Sequence, residues 1–232
     1  MSGTIVLKGA HVIDPAQGID RIGDVLVIDG KIASMGEFAT PPDAEVIDLD
    51  GHYVSPGWID LHVHAYGTLG FANPDSIGVY QGVTSFVEAG GPGIGTIDEF
   101  MVLLKDRTVT DLYVGPYIRP LGIVGLNFIE GDIRSLDTIP VNQWLEFARE
   151  HRDMFRYLKI GAFESYGAGP LKIGKGLAET LGVPMYVHVG ELYEKLQAPP
   201  TYDVFRIAEK GDGLTIQVGP RPQQGLQRKV GE

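Results

Sequence analysis

The stretch Pro56-Gly57-Trp58-Ile59-Asp60-Leu61-His62-Val63-His64 marks the point where the character of the chain changes. Before it, residues 1–55 read as short apolar, often alternating segments: Thr4 to Leu7, His11 to Ile13, Asp24 to Ile28, Lys31 to Met35 and Glu45 to Asp48. Asp29-Gly30 sits between two of them as a hairpin turn, and together they predict a small β-domain. After it, strand-like runs alternate with helix-like ones. Strands are expected at Ile59 to His64, Val83 to Glu88, Leu112 to Pro116, Tyr157 to Gly161, Pro184 to Val189 and Leu214 to Val218. Helices are expected at Ile97 to Leu104, Val141 to Met154, Ile173 to Leu181 and Tyr202 to Lys210.

That alternation is the pattern of parallel β/α units, and near-continuous apolar strands such as Val183 to Val189 suit a sheet covered by helices. Repeated β-branched runs disfavour a helix bundle. A doubly wound open sheet is the rival arrangement. Residues 219–232, with Gln223, Gln224 and Gln227 among Arg221, Arg228 and Lys229, follow no periodicity and read as an irregular tail.

The chain has 232 residues, 44% of them hydrophobic, with 32 glycines, which fits folded structure with many tight loops. Its net charge of −11 repels nucleic acid and anionic membrane, so neither is expected as a partner. With no cysteine, disulfides and thiolate metal sites are excluded. No run approaches the roughly 20 apolar residues of a membrane span and no signal peptide is legible, so a cytoplasmic location is expected.

His62 and His64 stand two residues apart at the end of an apolar strand, where the two-residue side-chain period turns both imidazoles to one side. At the C-terminal mouth of a parallel sheet they can reach one ion. His188, near the end of Met185-Tyr186-Val187-His188, reads either as a core histidine or as a nitrogen ligand to a second ion. Lys159 lies within Tyr157-Leu158-Lys159-Ile160-Gly161, where desolvation favours the neutral amine; such an amine forms a carbamate with carbon dioxide. The alternative is a lysine with a buried stem whose head reaches the barrel mouth.

These residues, with Gly51-His52-Tyr53-Val54-Ser55 and Gly82-Val83-Thr84-Ser85-Phe86-Val87-Glu88-Ala89-Gly90, resemble the amidohydrolase superfamily, within it the dihydroorotase, allantoinase and acyl-amino-acid deacetylase group. The resemblance implies a partial TIM-like (β/α)8 metal-dependent hydrolase barrel over residues 56–218. It also implies that residues 1–55 are half of a composite β-sandwich. It further implies that His62 and His64 hold a buried divalent ion, that carboxylated Lys159 bridges to a second and that His188 holds the latter, with zinc the first expectation. A metal-activated hydroxide would then cleave an amide or cyclic amide. A lactonase or deaminase would use the same ligands on another substrate. Gly90 in the loop after the second strand, and Glu191 just past His188, are candidate substrate-side residues; a plain turn and a solvated side chain are their alternatives. Tyr66 and Asn127 also fall near strand ends.

The resemblance stops near Asp212. The family needs a strand-six histidine and a strand-eight aspartate, but His188 is the last histidine, Ile216 and Gln217 occupy the strand-six position, and neither Asp203 nor Asp212 falls in the right place. A change of reading frame or a truncated gene suits this pattern better than deliberate loss of the site. The competing expectation is thus a catalytically inactive truncated fragment that acts at most as an association module, with homo-oligomerisation through its open edges.

Overall fold

The computed structural model describes residues 3–65, 73–103, 107–123, 139–162, 168–189 and 213–216. The expected helix Tyr202 to Lys210 and the tail 219–232 lie outside the described residues. The chain separates into two compact units, Met1–Gly57 and Trp58–Glu232.

In the first unit, the two segments expected at Thr4 to Leu7 and His11 to Ile13 form one strand, β1 (Thr4–Asp14). A register shift between Leu7 and Ala10 marks a bulge, where Gly9 takes a φ of 72° and its N–H donates to Asp24 Oδ1 at 2.8 Å. An apolar count along the sequence breaks at the bulge, although the strand does not. β2 (Ile19–Ile28) pairs antiparallel with β1 and begins well before the expected Asp24. Asp29 and Gly30 both have positive φ, 49° and 75°, the signature of the two-residue turn that leads into β3 (Lys31–Gly36). β4 (Glu45–Asp48) and β5 (Tyr53–Val54) both pair parallel with β1, one beside each half of it. Val6, Ala10, Val12 and Val25 supply the buried face.

The second unit begins with β6 (Trp58–Val63), followed by a short helix α1 (Pro74–Ile77) and β7 (Val83–Glu88). Next come α2 (Ile97–Leu103), β8 (Asp111–Val114) and α3 (Val141–Glu150). β9 (Leu158–Ala162), α4 (Gly169–Leu181), β10 (Met185–Val189) and β11 (Gly213–Ile216) complete the described elements. β6, β7 and β8 form one parallel ladder, and β9, β10 and β11 another. Parallel bridges Val114–Phe155 and Tyr117–Lys159 join the two. Six strands therefore stand side by side in chain order with no reversal. A doubly wound sheet requires a reversal at its switch point, so this is the wall of a partial TIM-like barrel, open rather than closed.

The helices pack where the apolar pattern places them, with shifted ends. α3 stops at Glu150 rather than Met154: the His151 N–H closes the last turn on Phe147 O at 2.9 Å. Met154 and Phe155 then drop into the core. α4 starts at Gly169, earlier than Ile173, because Pro170 suits a first helical turn, and it ends at Gly182 in the left-handed region. Gly174 lets α4 approach β9, since a Cβ there would stand 2.0 Å from Ile160 Cδ1. No described helix is long and apolar enough to cross a membrane.

Candidate functional site

The candidate site draws on the C-terminal ends of β6 and β7, on Lys159, the second residue of β9, and on His188 near the end of β10. β6 is not a plain alternating strand here. Its register against β7 shifts between Asp60 and Val63, and Asp60 Oδ1 accepts the His62 N–H at 2.9 Å. Asp60 thus shapes the bulge, and the bulge delivers the histidines: His62 Nε2 and His64 Nε2 stand 3.2 Å apart, with the rings edge to face at 77°.

Glu88, the last residue of β7, has no exposed surface. Its Oε2 accepts the Ala65 N–H at 2.5 Å and its Oε1 the Gly91 N–H at 3.0 Å, so one carboxylate ties together the loops that leave β6 and β7. Oε1 also lies 3.6 Å from His64 Nδ1. Lys159 is 1% exposed, and its Nζ makes no hydrogen bond among the described residues. That Nζ stands 4.6 Å from the centre of the Tyr186 ring. Tyr186 in turn stacks on Tyr157 at 4.7 Å and meets His62 edge-on at 5.4 Å. The Tyr157 hydroxyl donates to Leu61 O at 2.9 Å, tying the segment before β9 to the bulge in β6.

Burial sets the electrostatics. It drives His62 down to about 3, helped by the nearby Lys159, His64 and His188. Burial likewise takes His188 to about 4, with Lys159 and His64 adding to it. Lys159 falls to about 7 through burial, partly offset by the negative charge of Glu88. The Tyr157 hydroxyl is pushed upward by burial first, then by Tyr186, Glu88 and Asp60. Burial therefore favours the neutral forms of His62, His188 and Lys159.

The sign of the Lys159 shift yields a prediction. The unfolded chain holds the Lys159 proton below its ordinary value of 10.5, while the folded chain releases it down to about 7. Stability from this group is therefore fully present above 10.5 and lost as the pH falls to 7. The denaturation midpoint should rise with pH across that window, and Lys159→Met should flatten the rise. Equal slopes in the two proteins would contradict the assignment.

Of the residues singled out in the sequence, His62 and His64 are brought into contact, and Lys159 and His188 share their electrostatic surroundings. Gly90, with φ 90°, packs over the lysine stem: a Cβ there would stand 2.8 Å from Lys159 Cγ. Glu191, Tyr66, Asn127, Asp203 and Asp212 lie outside the described residues. Glu88, Tyr157 and Tyr186 received no role from the sequence. A carboxylate ending an otherwise apolar run, at the mouth of a parallel strand, was the available signal for Glu88.

The expectation of a metal-activated hydroxide is corrected. Among the described residues, no group of three or more His, Cys, Asp or Glu side chains is placed to hold a metal ion. A catalytic zinc takes about three protein ligands and keeps one position open. Two converging imidazole nitrogens do not supply that set, so the described residues do not fit the binuclear centre.

A wall of parallel strands in chain order, with a histidine pair closing the first of them, defines the class as a partial TIM-like β/α barrel. Comparison then gives the family. The chain is 34% identical over 225 residues to a deacetylase of Agrobacterium fabrum, a match covering 93% of this chain and 54% of the relative. It superposes on a crystal structure of a dihydroorotase with a TM-score of 0.79 at 30% identity, covering 91% of this chain and 56% of the other. An adenine deaminase structure gives a TM-score of 0.72 at 27% identity, over 90% of this chain and 55% of the other. No family model matches. The chain belongs to the amidohydrolase superfamily, in its dihydroorotase- and deacetylase-like part, with an open rather than closed barrel. It spans about half the length of the curated deacetylases it matches.

Proposed function

We propose that this chain is a non-hydrolytic bearer of the amidohydrolase scaffold and acts at most as an association module. The observation that carries the reading is the lack, among the described residues, of any three-ligand group. His62, His64, Lys159 and His188 are on this view part of a ligand set, without, among the described residues, the further ligands that make a catalytic centre. Residues 1–55 are, on the same view, one half of a composite β-sandwich, which their exposed Ile22, Ile32 and Tyr53 support. The small amides and cyclic amides that the resemblance brings to mind are not turned over by this chain alone.

The surface supports association. Among the described strands β6 pairs only with β7, and it carries Trp58, Ile59 and Leu61 at 68%, 67% and 59% exposure. Three exposed large apolar side chains on an unpaired strand edge favour contact with another chain over contact with water. Sedimentation velocity tests this. A concentration-dependent mass above that of the 25.2 kDa chain is expected, and Ile59→Asp with Leu61→Asp should return it to the single-chain value. A single-chain mass at every concentration would remove the association role.

A further inference from the structure

We propose that the β6 edge is guarded against strand addition: Asp60 and Tyr157 occupy both polar groups of the Leu61–His62 peptide, so contact at this edge runs through side chains and stops at a finite assembly. This rests on the association reading for the contact itself and adds what limits it.

β6 and β7 do not keep step. Between the pairs Asp60–Phe86 and Val63–Glu88, β6 advances three residues while β7 advances two, which leaves Leu61 and His62 without register partners on β7. Among the described strands β6 has no second neighbour. An unpaired peptide on such an edge is where a strand of another chain adds, because its N–H and C=O both need partners. Here both are taken. The His62 N–H donates to Asp60 Oδ1 at 2.9 Å, and Leu61 O accepts from the Tyr157 hydroxyl at 2.9 Å.

The tyrosine is held in that position. Tyr157 is 5% exposed, so its hydroxyl must find an acceptor inside the protein. Its ring stacks on Tyr186 at 4.7 Å. Gly115 makes room for it, since a Cβ there would collide with the Tyr157 ring, and Gly213 makes the same room for Tyr186. A side chain from the segment before β9 thereby reaches the backbone of β6. Ile59 and Leu61, the exposed apolar residues on either side of Asp60, keep the edge adhesive. The same few residues supply both the apolar contact and its limit.

Variants of the full chain test the guard. Asp60→Ala with Tyr157→Phe frees both groups of the peptide and keeps the ring stack. It is expected to turn a discrete mass in sedimentation velocity into species that grow with time and bind thioflavin T. Asp60→Asn with Tyr157 unaltered keeps an acceptor oxygen for the His62 N–H and should stay discrete. Adding Ile59→Lys and Leu61→Lys to the first variant should stop the growth. Growth that survives these lysines comes from unfolding rather than from the edge and overturns the proposal, as does a folded double variant of discrete mass. If the double variant does not fold, amide exchange in Asp60→Ala gives the second reading. Its His62 N–H should exchange about tenfold faster than that of Asp60→Asn, and equal rates overturn the proposal. A single-chain mass for the unaltered protein removes the association reading alone; growth of the double variant then still decides the guard.

Discussion

Trp144→Ala is expected to lower the folding stability of the barrel unit by about 3–5 kcal/mol, the usual range for removing a fully buried large aromatic. Trp144 has no exposed surface and forms the inward face of α3. Its ring lies nearly parallel to Phe155 at 6.2 Å and edge-on to Phe147 at 6.2 Å. Its Nε1–H donates to Ile118 O at 3.3 Å, between the helix layer and the chain leaving β8. Truncation opens a cavity between two elements and strips a buried carbonyl of a donor. Trp144→Phe, which refills most of the space and loses only the donor, should cost substantially less. Denaturant titration of both variants separates the two contributions. A loss below about 1 kcal/mol for the alanine variant would show that α3 is not anchored as described.

Glu88→Ala is expected to destabilise by about 2–5 kcal/mol for a different reason. The Ala65 and Gly91 N–H groups lose their acceptor in a dry interior, and each unmet donor costs on the order of 1–3 kcal/mol. Replacing a buried charge by an apolar group is often harmless when its partners go too, but here the partners are backbone and remain. The same change removes the negative charge of Glu88 that raises Lys159, so the lysine should titrate still lower than about 7. A stable Glu88→Ala protein with unchanged Lys159 titration would contradict the clamp.

The fold was largely legible because barrel strands have nearly continuous apolar runs and bounded lengths. The strand expected at Val83 to Glu88 is β7 to the residue, and those expected at Tyr157 to Gly161 and Pro184 to Val189 differ from β9 and β10 only at their ends. What escaped was geometry that composition does not encode. Gly9 keeps β1 continuous through a bulge, and Asp60 bonds the backbone of His62 in a strand that had looked regular. The site was legible in part. The pairing of His62 and His64 was expected from their spacing, although a bulge rather than plain alternation brings them together, and burial of Lys159 was readable from its apolar neighbours. Convergence of a third ligand is a property of several strands at once, and no local pattern reports it. For that reason the metal centre implied by the resemblance finds no three-ligand group among the described residues, whereas the superfamily holds.

Among the described residues the chain carries the scaffold without a three-ligand metal group. The most direct test incubates the full chain with zinc and bicarbonate and follows hydrolysis of N-acyl amino acids and cyclic amides. No turnover above the buffer rate is expected, with or without metal. Turnover that requires added metal and disappears in His62→Ala would contradict it.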